Sequence, residues 1–421
     1  MTIRRKALVL LFAFALILGG SFVVTRHTKA LGDASPFDEM GKVLEVISLV
    51  KMQYVDPVDP SDLIRAYVDS GSINGMLFEA LDDPYTRYLD QAAFKQMQID
   101  TTGEFAGIGI TVGMRDDRLT IVAPIPNTPG SRAGLLGGDR ITHIDGRSTE
   151  FMSMDEAVSL MRGKPDTEVI LTIERGAENP AVFDVKIIRA TIKAFSVSGT
   201  TVMREDKWPV SIPVGYVRLI QFSERSASEL QEAVNSLLEQ QVKGIIVDLR
   251  NNPGGLLTSA IEVASLFLNG GPVVHIVGRG DEKQTINARR GPVFDIPLVV
   301  MVNQYSASAS EIVSGALQDR GKATLVGATT FGKGLVQVVV PMRDGSALSL
   351  TNSRYQTAGG RFIHETGIVP DVEFILSEDE MMQLATRDDG NPDAADRQLL
   401  KALEILQELI RADAVELKQA G

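Results

Sequence analysis

Three serines alternate with alanines in Ser306-Ala307-Ser308-Ala309-Ser310-Glu311, directly after the apolar run 297–303 and before the helical stretch 312–319. A serine at such a strand-to-helix junction has two readings. Ser308 with Glu311 three residues on fits a capping box, in which the hydroxyl accepts from an early helix amide. The same junction suits a nucleophile, because free amides and the positive end of the helix dipole stabilise an oxyanion formed beside it. A nucleophilic serine needs a base. His27 lies beside the basic and apolar N-terminal segment, His143 lies inside the segment 103–190, and His275 and His364 have no evident carboxylate pattern beside them, although a Ser-His-Asp triad meets only in space. Lysine is the other option, provided that an apolar setting draws its pKa down from about 10.4 toward neutrality. Lys333 is the one charge in the apolar and glycine-rich stretch 330–340. Taken alone it reads as a solvated loop lysine; the company it keeps changes that reading. Gln337 lies four residues on, on the same face of a strand, and would orient the amine without adding negative charge. A straight strand puts the two Cα atoms about 13 Å apart, so contact needs a bend near Gly332 and Gly334. Finally, Asn251-Asn252-Pro253-Gly254-Gly255 follows the apolar run 243–249 and precedes the helical stretch 256–268. It reads either as a tight turn or as backbone amides brought close to a reacting group, as an oxyanion hole requires. It lacks the spaced glycines of a dinucleotide fingerprint.

The elements around these residues are two strand-turn-helix units, the signature of a βα core. Ahead of them, residues 103–190 contain short β-rich runs at 107–112, 119–122, 140–144, 169–174 and 183–188, with one helical stretch at 153–161. Several short strands with one helix form a small α+β or partly open barrel unit. Within it, Asn127-Thr128-Pro129-Gly130-Ser131-Arg132-Ala133-Gly134-Leu135, then Gly138-Asp139-Arg140-Ile141 and Ile144-Asp145-Gly146, resembles the PDZ domains of bacterial proteases. Such a module adds an extended peptide to an open sheet edge and presents loop amides to its terminal carboxylate. The candidate carboxylate loop is Phe105, Gly107, Ile108, Gly109 and Ile110, whose apolar members would favour a hydrophobic last residue.

At 421 residues the chain is too long for one compact core. Hydrophobic residues at 44% and charged residues at 23% are a globular composition. The net charge of −12 conceals five basic residues and no acid in residues 1–30, leaving 37 basic against 54 acidic residues, or −17, over the rest. That body repels phosphates, so no nucleic acid is expected as a partner. Arg4-Arg5-Lys6 followed by the uncharged run 7–24 reads as an export signal, with cleavage and anchoring both left open by its 18 residues. With no cysteine, thiol chemistry and disulfides are excluded. Met40, Val43, Ile47, Val50 and Tyr54 predict an amphipathic helix ending at Asp56-Pro57. Asn391-Pro392 predicts the start of a second, striped by Leu399, Leu403, Leu406 and Ile410. Both stripes suit intramolecular packing, and self-association through the terminal helices is a secondary expectation.

Ser306 to Glu311, Phe331-Gly332-Lys333-Gly334 and Gln337 together resemble the carboxyl-terminal processing (tail-specific) protease family, serine peptidases with a Ser-Lys-Gln site and an inserted PDZ domain. The likeness runs from about residue 36 to 376 and includes Ile73-Asn74-Gly75-Met76-Leu77, Asp83-Pro84-Tyr85-Thr86-Arg87-Tyr88-Leu89 and Gly367-Ile368-Val369-Pro370-Asp371. The resemblance implies an α/β and α+β multidomain chain: a signal peptide or anchor (1–30), an N-terminal helical region (31–102), a PDZ-like domain (103–190), a βα-rich, crotonase/ClpP-like peptidase core (191–376), and an acidic linker with a C-terminal helix (377–421). It implies Ser308 as nucleophile, Lys333 as general base, Gln337 as the residue orienting it, and oxyanion amides from Ala309 and the Gly254/Gly255 pair, with Gly254 preferred. No metal or cofactor is implied. Expected partners are proteins with exposed apolar C-termini, with an adaptor left open, in the periplasm or cell envelope. The alternatives are a non-catalytic PDZ scaffold and a crotonase-like acyl-thioester enzyme; the latter gives Lys333 no role.

Overall fold

The computed structural model describes residues 36–420 except 116–117, 126, 177–179, 194, 378, 381–391 and 393–394. The expected leader and Asn391 lie outside these residues. The chain divides into two compact units, one ending at Arg87 and the other starting at Tyr88.

The first unit contains α1 (Pro36–Gln53), α2 (Pro60–Ser70) and α3 (Ile73–Leu81). On α1, Val43, Val46, Ile47 and Val50 are buried, as is Tyr54 just beyond its end, whereas Met40 of the expected stripe is 51% exposed. Capping follows the sequence: Asp59 accepts from Ser61 N ahead of Pro60, Ser72 accepts from Gly75 N, and Gly71 closes α2 in the left-handed conformation.

After β1 (Arg87–Leu89) and α4 (Gln91–Thr102), β2 (Glu104–Gly107) leads into the PDZ-like module. Its sheet has the order β3 (Ile110–Arg115), β4 (Arg118–Pro124), β5 (Arg140–Ile144), β7 (Glu168–Arg175), β8 (Ala181–Ile188), with β6 (Arg147–Ser148) paired to β5. The short α5 (Pro129–Arg132) and α6 (Met154–Met161) complete it, α6 being capped by Ser153 accepting from Glu156 N. The chain returns through β9 (Ala190–Lys193), antiparallel to β2, so incoming and outgoing segments lie side by side as in an inserted module.

The remainder is built on a six-stranded sheet of order β10 (Val197–Met203), β11 (Val214–Leu219), β12 (Ile245–Asp248), β15 (Leu298–Val302), β16 (Thr324–Gly327), β19 (Val372–Glu373). Every pair after the antiparallel β10/β11 is parallel. Strand alternation sends Val217, Ile245, Val247, Leu298 and Val300 to one face, where they pack with α7 (Ser226–Glu239), α8 (Leu257–Ser265) and α9 (Ala309–Asp319). It sends Tyr216, Ile246, Val299 and Met301 to the other, against α10 (Arg397–Ala420). Strands covered on both faces must be apolar throughout, which is why 243–249 and 297–303 carry no alternation. An antiparallel sheet of β13 (Pro272–Gly278), β14 (Lys283–Asn287), β17 (Leu335–Pro341) and β18 (Ala347–Thr357) packs on the first face through Val274 and Tyr355.

At the C-terminal helix the expected start changes, whereas the expected intramolecular packing of its stripe is found. It begins at Arg397, where the Asp396 carboxylate accepts from Gln398 N and Leu399 N, each 3.1 Å. Its stripe, Leu399, Leu403, Leu406 and Ile410, is buried in the sheet of its own chain, so these residues are not a seam for a second copy. Arg250, two residues past β12, pairs with Asp248 and Asp396, each 2.7 Å, and with Gln398 Oε1 at 3.1 Å. Burial opposes ionisation of Asp248, yet the Arg250 charge and hydrogen bonds hold its carboxyl below the ordinary value. Asp396→Ala leaves Arg250 with Asp248 but removes one of its two carboxylates together with the helix cap. It is expected to cost about 2–3 kcal/mol, read as a lower denaturant midpoint at unchanged slope. An unchanged midpoint would show that this contact does not hold the helix.

Candidate active site

Three neighbouring parallel strands deliver the candidate residues. The loop after β12 carries Gly254 and Gly255, the loop after β15 carries Ser308, and the segment after β16 carries Lys333. Ligands of open α/β sheets bind at these carboxyl ends. Asn251 and Asn303 lock the first two loops together, Asn251 N donating to Asn303 Oδ1 (2.9 Å) and Asn303 Nδ2 to Asn251 Oδ1 (2.8 Å). Asn252 O accepts from Ala307 N at 3.0 Å and from Ser310 Oγ at 2.9 Å. Phe331 N donates to Ser306 O at 3.0 Å and ties in the third.

The geometry separates the three serines. Ser306 and Ser310 are fully buried and committed to the scaffold: Ser306 Oγ donates to Leu249 O (2.8 Å) and accepts from Asn303 N (3.0 Å), and Ser310 Oγ donates to Asn252 O. Ser308 is partly exposed at the start of α9. Its φ of 56° and ψ of −112° belong to a region that non-glycine residues rarely occupy, and such strain persists only where the surroundings impose it. Glu311 Oε2 accepts from Ser308 N at 2.8 Å. Glu311 N (2.9 Å), Ile312 N (3.0 Å) and Tyr355 Oη (3.2 Å) all donate to Ser308 O.

Glu311 is the residue whose role the sequence understated. Its cap to Ser308 N is half of the expected box, but the carboxylate also accepts from Lys333 N at 2.9 Å through Oε2, and from Gly332 N (2.7 Å) and Thr330 Oγ1 (2.6 Å) through Oε1. One fully buried carboxylate thus spans the backbones of the candidate nucleophile and candidate base. Burial raises its pKa above the usual carboxylate range, against the pull of these four hydrogen bonds. Burial, and then the Glu311 charge, push the Tyr355 hydroxyl well above its ordinary value, so it stays a donor.

Lys333 is partly buried and lies before β17 rather than within it. The β17/β18 register shifts between Val336 and Gln337, a bulge of the kind that re-aims side chains beside active sites. The straight-strand separation therefore does not apply. Gln337 Nε2 donates to Thr351 Oγ1 at 3.2 Å, which fixes the amide plane. Among the described histidines, His143 contacts the Thr142 hydroxyl, and His275 the Thr285 hydroxyl and Ala358 O; neither of these rings is held by a carboxylate.

The glycine loop approaches Ser308 directly. Gly254 has φ +101°, and a Cβ there would lie 2.8 Å from Ser308 Cβ and 2.9 Å from Ala309 N. The preference for Gly254 as donor meets an obstacle, because its N–H donates to Asn252 Oδ1 at 2.9 Å. Gly254 O accepts from Phe222 N at 2.9 Å, and a trans peptide then turns the Gly255 N–H away from Phe222.

The expected carboxylate loop is divided by the structure. Phe105 and Gly107 are in β2, with Arg162 5.3 Å over the Phe105 ring, and Ile110 opens β3. Ile108 is 2% exposed in the module's core, so it does not line a peptide groove as expected. Gly109 makes the turn: its φ is +73°, and its carbonyl accepts from Ile125 N (2.9 Å) and Thr128 Oγ1 (2.8 Å).

Fold and site together define a serine-type peptidase with an inserted PDZ domain. Residues 213–374 match peptidase family S41, residues 120–175 a PDZ domain, and residues 22–93 the N-terminal domain of the activating protease CtpB. The chain is 38% identical to the carboxy-terminal-processing protease of Bartonella bacilliformis over 86% of its own length and 82% of that protein. It is 36% identical to the carboxy-terminal processing protease CtpA of Bacillus subtilis over 86% and 74%. Among solved structures, the photosystem II D1 C-terminal processing protease is similar, with a TM-score of 0.52 and 29% identity over 87% of this chain and all of that one. The chain belongs to the carboxyl-terminal processing protease family, which sets aside the scaffold and acyl-thioester alternatives.

Proposed function

We propose that the chain is an exported endopeptidase that cleaves proteins near their C-termini with Ser308, Lys333 and Gln337, and that its PDZ domain recognises the substrate tail and gates the site. The observation that carries the catalytic part is the Glu311 carboxylate shared by the amides of Ser308 and Lys333. Neutral Lys333 takes the proton of Ser308 Oγ as that oxygen attacks the scissile carbonyl. The tetrahedral oxyanion is held by the amides of Ala309, at the positive end of α9, and Gly255. Lys333 passes the proton to the leaving amine, the C–N bond breaks and an acyl-serine remains. Water, deprotonated by the same lysine, releases the new C-terminus and regenerates Ser308. Gln337, anchored at Thr351, orients the amine. Export rests on the basic residues 4–6 and the apolar run 7–24; among the described residues no helix is long and apolar enough to cross a membrane. The acidic body argues against nucleic acid as a substrate.

Tail recognition is tested at Gly109, where a Cβ would come 2.3 Å from Thr128 Cβ and distort the turn. Gly109→Ala is expected to lower kcat/KM about tenfold on an unfolded reporter ending in Val-Leu-Val, as when a peptide-end contact is lost. The same reporter ending in Asp-Glu-Asp should change little. Equal losses on both would remove the loop from tail recognition.

A further inference from the structure

We propose that the turn 222–229 mechanically couples the PDZ domain to the oxyanion loop, with Ser196 and Ser223 as positioning residues for the reaction; this rests on the gating reading above and names the path by which gating acts. Both connections of the PDZ domain end on this turn. From the incoming side, Thr101 O accepts from Glu224 N at 3.2 Å, and Glu104 lies 3.5 Å from Arg225. From the outgoing side comes Ser196, fully buried three residues after β9. Its Oγ is 2.8 Å from Ser223 Oγ and 2.7 Å from Ser226 Oγ. Its amide donates to Glu229 Oε2 at 2.7 Å, and its carbonyl accepts from Ile220 N at 2.8 Å.

The other end of the turn holds the glycine loop. Phe222, adjacent to Ser223, donates its amide to Gly254 O and accepts from Leu256 N, each at 2.9 Å. The approach is so close that a Cβ on Gly255 would lie 2.0 Å from Phe222 O, so a displacement of Phe222 displaces the Gly254-Gly255 peptide with it. Between these ends the polar groups have alternative partners. Ser226 Oγ carries one proton and has two acceptors, Ser196 Oγ and, at 3.1 Å, Gln221 O. Arg225 is shared between Glu104 and Glu229, the latter at 2.9 Å. If the two connections withdraw, the Ser226 proton turns to Gln221 O and Arg225 keeps Glu229. The buried Ser226 hydroxyl and the Arg225 cation each retain a partner, so neither of them opposes the movement. The cluster can therefore exist in two arrangements, as a switch requires.

The test measures kcat and KM of the full chain on the Val-Leu-Val reporter for Ser196→Ala, Ser223→Ala and Arg225→Gln, alone and combined with Gly109→Ala, with thermal unfolding of each. Coupling predicts that Ser196→Ala lowers kcat about five- to tenfold with KM within about twofold, and that in the Gly109→Ala background it removes no more than about a further twofold. Arg225→Gln, on the half-exposed side of the turn, should do the same more weakly and keeps the test open if a buried serine variant does not fold. Unchanged kcat, or a loss that multiplies fully with that of Gly109→Ala, overturns the coupling while leaving gating intact. A silent Gly109→Ala marks failure of the gating reading itself and overturns the coupling with it.

Discussion

Replacing Ser308 by Ala is expected to lower kcat by about 10⁴-fold or more while the chain still folds, as for nucleophiles elsewhere. The more informative variant is Ser308→Gly. With φ at 56° and ψ at −112°, the serine holds a conformation that glycine adopts without strain. Strain of this kind costs about 1–3 kcal/mol, and the extra entropy lost by a glycine returns about 0.5–1 kcal/mol of that. Ser308→Gly should therefore lose activity and gain about 1 kcal/mol of stability, seen as a higher denaturant midpoint. A glycine variant less stable than the native chain would show that no strain is stored there. Lys333→Ala and Lys333→Arg should match the serine variants in activity, because a guanidinium stays charged and cannot act as a base. Retained activity in Lys333→Ala would return the role to a histidine.

The second large effect is expected at Glu311. In Glu311→Gln one acceptor oxygen becomes an NH₂ that faces amide donors, either those of Ser308 and Lys333 or the Gly332 amide and Thr330 hydroxyl. Displacing nucleophile and base relative to each other should cost about 10²-fold in kcat. The stability consequence runs the other way with pH. Burial holds the Glu311 carboxyl above its usual range, so the folded chain binds this proton more tightly than the unfolded one. The stability contributed by such a group is full below the unfolded value, about 4.3, and is lost as pH rises through the folded value. The native chain should lose stability relative to Glu311→Gln as pH is raised from about 4. A difference that grows with pH would mean that the hydrogen bonds outweigh burial.

What was legible in the sequence follows from the range of each signal. The buried parallel strands, the helical stretch at 153–161 and the short strands of the PDZ domain are local patterns, and each is found close to where it was read. The three serines were visible as a group and the family resemblance singled out Ser308; packing adds that Ser306 and Ser310 are buried in the scaffold whereas Ser308 is partly exposed. Glu311 was visible as a cap at three-residue spacing; its bonds to Thr330, Gly332 and Lys333 join segments far apart in the chain, and no linear pattern records them. The same holds for Asn252, whose side chain engages the Gly254 amide and shifts the oxyanion assignment toward Gly255. Ile108 was misplaced because an apolar residue in a glycine loop reads alike whether it lines a groove or fills a core. The start of α10 was set too early because a proline after Asn is a strong local signal, whereas Asp396 caps the helix while held by Arg250, a contact across the sheet.

Covalent labelling tests the Ser308 nucleophile and its activation by Lys333. The purified full chain is treated with a fluorophosphonate, which phosphonylates an activated serine oxygen with loss of fluoride, and is then digested and mapped by mass spectrometry. The label should fall on Ser308 alone and should be lost in Lys333→Ala while that variant remains folded. A label on Ser306 or Ser310, or undiminished labelling of Ser308 without Lys333, would contradict a Ser308 nucleophile activated by Lys333.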